Sequence, residues 1–240
     1  MIELASVVKR FHGRVVLDHL SLRVGAGEIV GLIGRNGAGK STALRVLTGQ
    51  LVSDGGTATI GGHDVQSAPL AARRLLGYVP QDGEVEPFLT GEEVLRFCAE
   101  VRGVAGGEDV VLGLLRTFGL FEARHRLTRE YSEGMARRLA LAASLVGAPP
   151  AFVLDEPLNG LDPRGVHLVR DTLARRAQEG AAILLTGHFL ETLERLCTRV
   201  VLIEKGVVAR DLDAAMLAGL RAAGRSLEDV FLEVVAPAEL

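Results

Sequence analysis

The eight residues Gly34-Arg35-Asn36-Gly37-Ala38-Gly39-Lys40-Ser41 constrain this chain more than any other stretch. They follow a short apolar run, Glu28 to Ile33, that suits a buried parallel strand. They precede a segment, Lys40 to Thr48, that suits a helix. The pattern is G-x-x-x-x-G-K-[ST], with strand, loop and helix in the order it needs. Glycines let a backbone close around a bulky, highly charged phosphate chain, and loop N–H groups and a helix N-terminus then face the anion. In that pattern Lys40 reaches the β- and γ-phosphates of ATP and the Ser41 hydroxyl ligates Mg²⁺. Gly34, Asn36, Gly37, Ala38, Gly39 and Thr42 complete the expected nucleotide-binding set. A chance glycine-rich turn of this form is expected on the order of a few times in a thousand, because the chain has 29 glycines but only 3 lysines.

Further along, strands and helices alternate, which predicts a mainly parallel α/β sheet. Ile2 to Val8 and Val15 to Val24 read as half-exposed strands, Thr57 to Ile60 and Leu76 to Val79 as two more. The character then changes. Thr90-Gly91-Glu92-Glu93 has capping-box spacing ahead of a helix to about Arg102, and helices fit Glu108 to Phe118 and Ser132 to Val146. Alternation resumes with strands at Ala151 to Leu154, Ala182 to Thr186 and Arg199 to Ile203, and helices at Arg164 to Gln178 and Phe189 to Leu196. The last thirty or so residues read as helical, with Ser226-Leu227-Glu228-Asp229 a second capping box. The division expected is a core of residues 1–83 and 147–208, an all-helical insert of 84–146, and a helical extension of 209–240.

Composition narrows the function classes. Apolar residues make up 48% of the 240 and charged residues 24%, which supports a folded core and no disordered tail. A net charge of -3 gives no concentrated basic face, so no nucleic-acid partner is expected. Met1 leads straight into Ile2-Glu3-Leu4, so no secretory leader is expected either. The longest apolar candidate for a membrane span, Leu139 to Leu154, is cut by Gly147, Pro149 and Pro150. Cys98 and Cys197 match no metal-ligand spacing and read as small buried apolar residues.

A second motif sits at the end of a strand. Phe152-Val153-Leu154-Asp155-Glu156 places Asp155 to hold Mg²⁺ and Glu156 to polarise an attacking water. An acidic pair after a strand is also an ordinary solvated turn, and the phosphate loop tips the balance.

Around these two motifs, four more segments stand in a fixed order. Tyr131-Ser132-Glu133-Gly134-Met135 resembles the signature of ATP-binding cassette proteins. Gly77-Tyr78-Val79-Pro80-Gln81 is similar to the family's Q-loop, Asn159-Gly160-Leu161-Asp162 to its D-loop, and Thr186-Gly187-His188 to its switch histidine. The resemblance spans Ile2 to about Val208. It implies a P-loop NTPase fold with a mainly parallel sheet, N-terminal antiparallel strands and the helical insert. It also implies a head-to-tail dimer, with itself or with a related subunit, that holds two ATP at the interface. Phe11 would stack on adenine, Gln81 would touch Mg²⁺ and water, and His188 would hold the water with Glu156. Ser132, Gly134 and Met135 would meet the partner's ATP, and Asp162 would mark the D-loop. For Phe11 a core position is the competing reading, and for Ser132 a plain helix cap.

Glu133 stands where the family usually has glycine, and Asn159 and Gly160 also depart from the commonest D-loop. With Met135, Glu133 resembles export-type cassettes, and Ser226 to Val234 resembles the tail of drug- and polymer-export members. The expectation is therefore an ATPase on the cytoplasmic face of the membrane, peripheral, driving a separate transmembrane permease. A cassette acting on nucleic acid or ribosomes, or an import motor, is the alternative.

Overall fold

The computed structural model describes residues 1–83 and 85–235. Two sheets form from the strands. The first is antiparallel, in the order β2-β1-β4-β5, from β1 (Ile2–Phe11), β2 (Arg14–Val24), β4 (Gly55–Ile60) and β5 (His63–Asp64). In β2 the alternation expected of a half-exposed strand is met, with Leu20, Leu22 and Val24 turned inward. The second sheet runs β10-β9-β3-β8-β7-β6. It contains β3 (Ile29–Ile33), β6 (Leu76–Val79), β7 (Ala151–Leu154), β8 (Ala182–Thr186), β9 (Arg199–Glu204) and β10 (Val207–Leu212). All pairings in it are parallel except β9 with β10.

The continuous apolar runs of β3, β7 and β8 are explained by burial on both faces. Ile29, Phe152, Leu154, Ile183 and Leu185 join one core with the helices of the insert. Val30, Leu32, Val153 and Leu184 join the other, against α1 (Lys40–Leu47) and the antiparallel sheet. The parallel sheet is thus the middle layer of the molecule.

Helices follow their caps. After α2 (Pro69–Arg74), α3 (Gly91–Val101) opens on the expected capping box. Glu93 N–H donates to Thr90 Oγ1 at 3.2 Å, and Thr90 N–H donates to the Glu93 carboxylate at 2.7 Å. Next come α4 (Gly107–Thr117) and α5 (Glu133–Leu145), then α6 (Pro163–Gln178), whose first turn is capped by Asp162 through Gly165 N–H at 2.7 Å. The remaining helices are α7 (Leu190–Leu196), α8 (Ala214–Ala222) and α9 (Leu227–Val235). Ser226 and Asp229 form the second expected box, with Ser226 N–H on the Asp229 carboxylate at 2.8 Å and Asp229 N–H on Ser226 Oγ at 3.2 Å.

Besides two 3-10 turns, Phe121–Ala123 and Thr128–Glu130, three short elements escaped the sequence reading: β5, α2 and β10. The last matters most, because it takes residues 207–212, and the terminal helices therefore begin at Ala214 rather than at 209. Lys205 and Gly206, with φ of 50° and 82°, make the tight turn that folds β10 back on β9. Between residues 85 and 146 the described residues hold α3, α4, α5, two 3-10 turns and one isolated bridge, Thr90 with Leu127. The expected first residue of the insert, Glu84, lies outside the described residues.

Candidate functional site

Parallel strands point the same way, so adjacent strands deliver their C-terminal ends to one edge. Here β3, β8, β7 and β6 are neighbours in that order. Their ends carry Gly34, Thr186 to His188, Asp155 with Glu156, and Pro80 with Gln81. Motifs more than 150 residues apart in sequence meet by topology alone.

A groove of about 870 Å³ opens along this edge, lined by the loop from Arg35 to Thr42, by Phe11, Arg14, Gln81 and Glu156, and by Glu204 and Lys205. Gly39 has φ of 110°, and a methyl group there would lie 2.8 Å from Leu17 Cδ2 and 3.0 Å from the Val16 carbonyl. Only glycine fits both the backbone and the contact with β2. Lys40 Nζ donates to the carbonyls of Gly34 at 2.7 Å and Arg35 at 3.2 Å. Burial lowers the Lys40 pKa, and the nearby charges of Glu156 and Asp155 oppose that fall. No acidic residue stands in the first turn of α1, which leaves its N-terminus open to an anion. Phe11 is 41% exposed on the groove wall, with Lys9 Nζ 5.5 Å from its ring centre. That is not the core position which competed with stacking in the sequence reading.

Asp155 is buried at the end of β7. It accepts a hydrogen bond from Thr186 Oγ1 at 2.5 Å, and the same hydroxyl accepts from Glu156 N–H at 2.9 Å. Glu156 adopts φ of 49°, a left-handed conformation uncommon for a side-chain-bearing residue and typical of strained site positions. Its carboxylate accepts from Asn159 Nδ2 and lies 3.6 Å from His188 Nδ1. Sequence reasoning gave no positioning role to Thr186 or Asn159, although both stood inside quoted motifs. Their signal was present as hydroxyl and amide side chains beside an acidic pair. Ser41, Gln81 and Asp155 offer hydroxyl, amide and carboxylate oxygens, a hard donor set of the kind Mg²⁺ takes.

The signature residues lie elsewhere. Ser132 caps α5, accepting from Met135 N–H at 3.3 Å, and Met135 is half-buried against the core. Ser132, Gly134 and Met135 do not line the groove of their own chain. Glu133 is exposed, yet its carboxylate runs along the D-loop: a methyl group at Gly160 would sit 2.6 Å from Glu133 Oε1. Gly134 also faces Gly160, whose carbonyl would be 3.1 Å from a methyl group there. One residue that nothing in the sequence marked ties the signature helix to the Gln81 loop. Buried Arg137 donates through Nη1 to the carbonyls of Gln81 at 2.6 Å and Pro80 at 3.2 Å.

Comparison with known proteins places these features in context. The sequence profile described as ABC transporter matches residues 17–159. The daunorubicin/doxorubicin resistance ATP-binding protein DrrA of Streptomyces peucetius is 41% identical over 209 residues, covering 86% of this chain and 63% of its own length. The Nod factor export ATP-binding protein I of Burkholderia thailandensis is 42% identical, covering 85% of this chain and 68% of its own. The chain thus spans about two thirds of the length of these relatives. A solved structure described as the ATP binding subunit of an ABC transporter superposes with a TM-score of 0.90 at 30% identity, over 98% of this chain and 99% of that one.

Proposed function

This chain belongs to the ABC transporter family, and from that premise we propose that it binds and hydrolyses ATP as the motor subunit of an exporter. The observation that carries the reading is the split between groove and signature. Lys40, Gln81, Glu156 and the phosphate loop share one groove, while Ser132 and Gly134 lie away from it. Such a site is completed by a second copy or a related subunit placed head to tail, so that each signature helix turns its N-terminus toward the other chain's γ-phosphate.

Within one chain the roles divide by geometry. The phosphate loop and Lys40 bind the triphosphate, and Phe11 offers an exposed ring to the base. Ser41, Gln81 and Asp155 would hold Mg²⁺, which supplies charge neutralisation on the phosphate oxygens. Glu156 takes the proton of the attacking water as general base. His188, 3.6 Å away, holds the acceptor side of that water, and Asn159 fixes the carboxylate.

Export is supported by the names of the relatives, which concern resistance and export, and by the resemblance of the tail Ser226 to Val234. Among the described residues no helix is long and apolar enough to cross a membrane. In this reading the permease is a separate chain and this one is peripheral on the cytoplasmic side, and it is the names of the relatives that support a membrane partner. Its docking groove, about 390 Å³, is lined by Pro80, Val85, Leu89, Val94 and Phe97, between the Gln81 loop and α3. Two measurements test the reading. The purified chain should turn over ATP, and Glu156→Gln should trap an ATP-dependent dimer of doubled mass on size exclusion. Fractionation with the permease present and deleted should move the chain between membrane and soluble pools. A chain bound to ribosomes or nucleic acid in both strains would overturn the transport role and leave the ATPase standing.

A further inference from the structure

The C-terminal helix reaches the same cavity as the reacting groups. A second space of about 420 Å³ adjoins the phosphate loop, and its lining includes Lys40, Gln81, Glu156, His188, Leu190 and Phe231. Phe231 belongs to α9, more than forty residues past His188, and none of the motifs predicts it there. Its presence is set by a firm attachment. Leu227 and Val230 are buried in the core, and Phe231 packs half-buried against it, the spacing of an amphipathic helix. Glu194, on α7, accepts from Leu227 N–H at 3.0 Å and from Arg221 Nε at 3.1 Å, while its carbonyl accepts from Arg221 Nη2 at 2.6 Å. Thus α9 and the end of α8 are both tied to α7, the helix that starts two residues after His188.

We propose that Phe231 is a positioning residue for the His188 loop: by packing at the cavity wall beside Leu190 it holds His188 against Glu156, so the C-terminal helix sets the competence of the ATP site. The physical argument is one of degrees of freedom. The His188 side chain is 57% exposed, and its ring meets only the Glu156 carboxylate at 3.6 Å and the ring of its neighbour Phe189 at 4.2 Å among the contacts of the described residues. The helix that follows is only seven residues long, too short to hold itself without packing. The Phe231 side chain forms part of the wall that bounds the space into which the loop would relax. Loosening such a loop by about 1 Å degrades the chemical step far more than it degrades binding through the phosphate loop on the opposite wall. The kinetic part of this inference rests on the hydrolysis proposed above.

The test compares wild type, Phe231→Ala, Phe231→Leu, His188→Ala and the double variant His188→Ala/Phe231→Ala in the full chain. Steady-state ATP turnover and amide hydrogen exchange of residues 186–190 are both read. Phe231→Ala is expected to lower kcat about tenfold with KM within about twofold, and Phe231→Leu to restore most of it. On the His188→Ala background the same substitution should change kcat by less than about twofold, because Phe231 acts through the placing of His188. Exchange at 186–190 should rise in Phe231→Ala without ATP, while residues 29–33 stay protected. Unchanged exchange at 186–190, or an undiminished loss of kcat on the His188→Ala background, would overturn the proposal. Should Phe231→Ala fail to fold, the milder truncation Phe231→Val, alone and on the His188→Ala background, decides by the same criteria. A wild type that turns over no ATP would sink the hydrolysis reading instead, and the exchange data would still decide the role of Phe231.

Discussion

The parallel sheet and the helical insert are built on opposite plans. In β3, β7 and β8 every residue is buried, and the groups at their tips are held by short, specific contacts such as the Thr186 pair with Asp155 and Glu156. In α3, by contrast, Phe97 and Val101 are 61% and 69% exposed, and nearby Phe88 is 68% exposed. One region uses its apolar residues to anchor the strands whose tips carry the site groups. The other leaves large apolar side chains in solvent, which on a folded surface marks a place for a partner. Arg137 links the two, since it sits in the insert and bonds to the carbonyls of the Gln81 loop. The difference teaches that the motor proposed above would pair a rigid floor for the phosphates with an unfinished face for coupling.

The largest effects should come from the floor. Glu156→Gln should slow hydrolysis by roughly 10²-fold or more with ATP affinity nearly intact, whereas Lys40→Ala should weaken ATP binding itself. Single-turnover kinetics with a separate binding titration distinguishes the two. Normal turnover by the glutamine variant would detach the chemistry from the sheet tips and break the comparison. Next in size is Thr186→Val, which keeps the shape but leaves the Glu156 N–H and the Asp155 carboxylate each short of a partner. It should cost roughly 1–3 kcal/mol of stability in a denaturant titration and about tenfold in kcat.

On the unfinished face, Phe97→Ser should cut membrane retention in fractionation while shifting the melting temperature by less than about 2 °C, since an exposed side chain holds up little of the fold. Glu93→Arg is a poorer probe, although Glu93 is exposed, because its carboxylate completes the cap of α3. Full retention of Phe97→Ser would mean that the exposed aromatics are not the docking face.

The two cysteines sharpen the contrast between regions. Cys197 packs against β3, where a methyl group on Gly31 would lie 2.9 Å from its sulfur, and burial pushes its thiol up to about 12. Cys98, on α3, is half-buried and its thiol is also raised by burial. A thiol reagent at pH 8 should therefore modify Cys98 slowly in the native chain and Cys197 only on unfolding. The pH sign follows from linkage. Above pH 9.0 the unfolded chain releases the Cys197 proton and the folded chain keeps it, so stability falls as pH rises from 9.0 towards 12. Cys197→Ala should remove about 1.4 kcal/mol per pH unit of that slope in urea titrations.

Most of the proposed floor is legible in the sequence, because a phosphate loop takes a few residue types at fixed spacing. The strand runs of β3, β7 and β8 were equally plain, since double-sided burial leaves Thr186, at the tip of β8, as their one polar side chain. What escaped was conditional on tertiary contact. The role of Thr186 needs β8 beside β7, and that of Arg137 needs α5 beside the Gln81 loop. β10 was missed because an edge strand with most of its residues exposed carries little apolar pattern, though Lys205-Gly206 marked the turn. Phe231 read as one apolar position of an amphipathic helix, and only the fold brings it to the cavity.

The smallest effect is expected at Glu133, where the two regions touch. A carboxylate aimed at a γ-phosphate across a dimer interface would repel it by on the order of 1 kcal/mol or more, about tenfold in affinity. Here the side chain instead lies along Gly160 of its own chain, and Gly160 has the φ of 68° and the missing side chain that make room for it. The Glu133 carboxylate thus takes the space that a side chain at position 160 would need. As the first residue of α5, Glu133 also favours the helix N-terminus electrostatically, by about 0.5 kcal/mol. Glu133→Gln keeps the shape and removes only the charge, so ATP turnover and the ATP needed for dimerisation should both stay within about twofold. Glu133→Gly is the less clean variant, since it adds backbone freedom and empties the space beside the D-loop. A tenfold gain in turnover by Glu133→Gln would put the carboxylate in the composite site and make the insert part of the phosphate-binding floor.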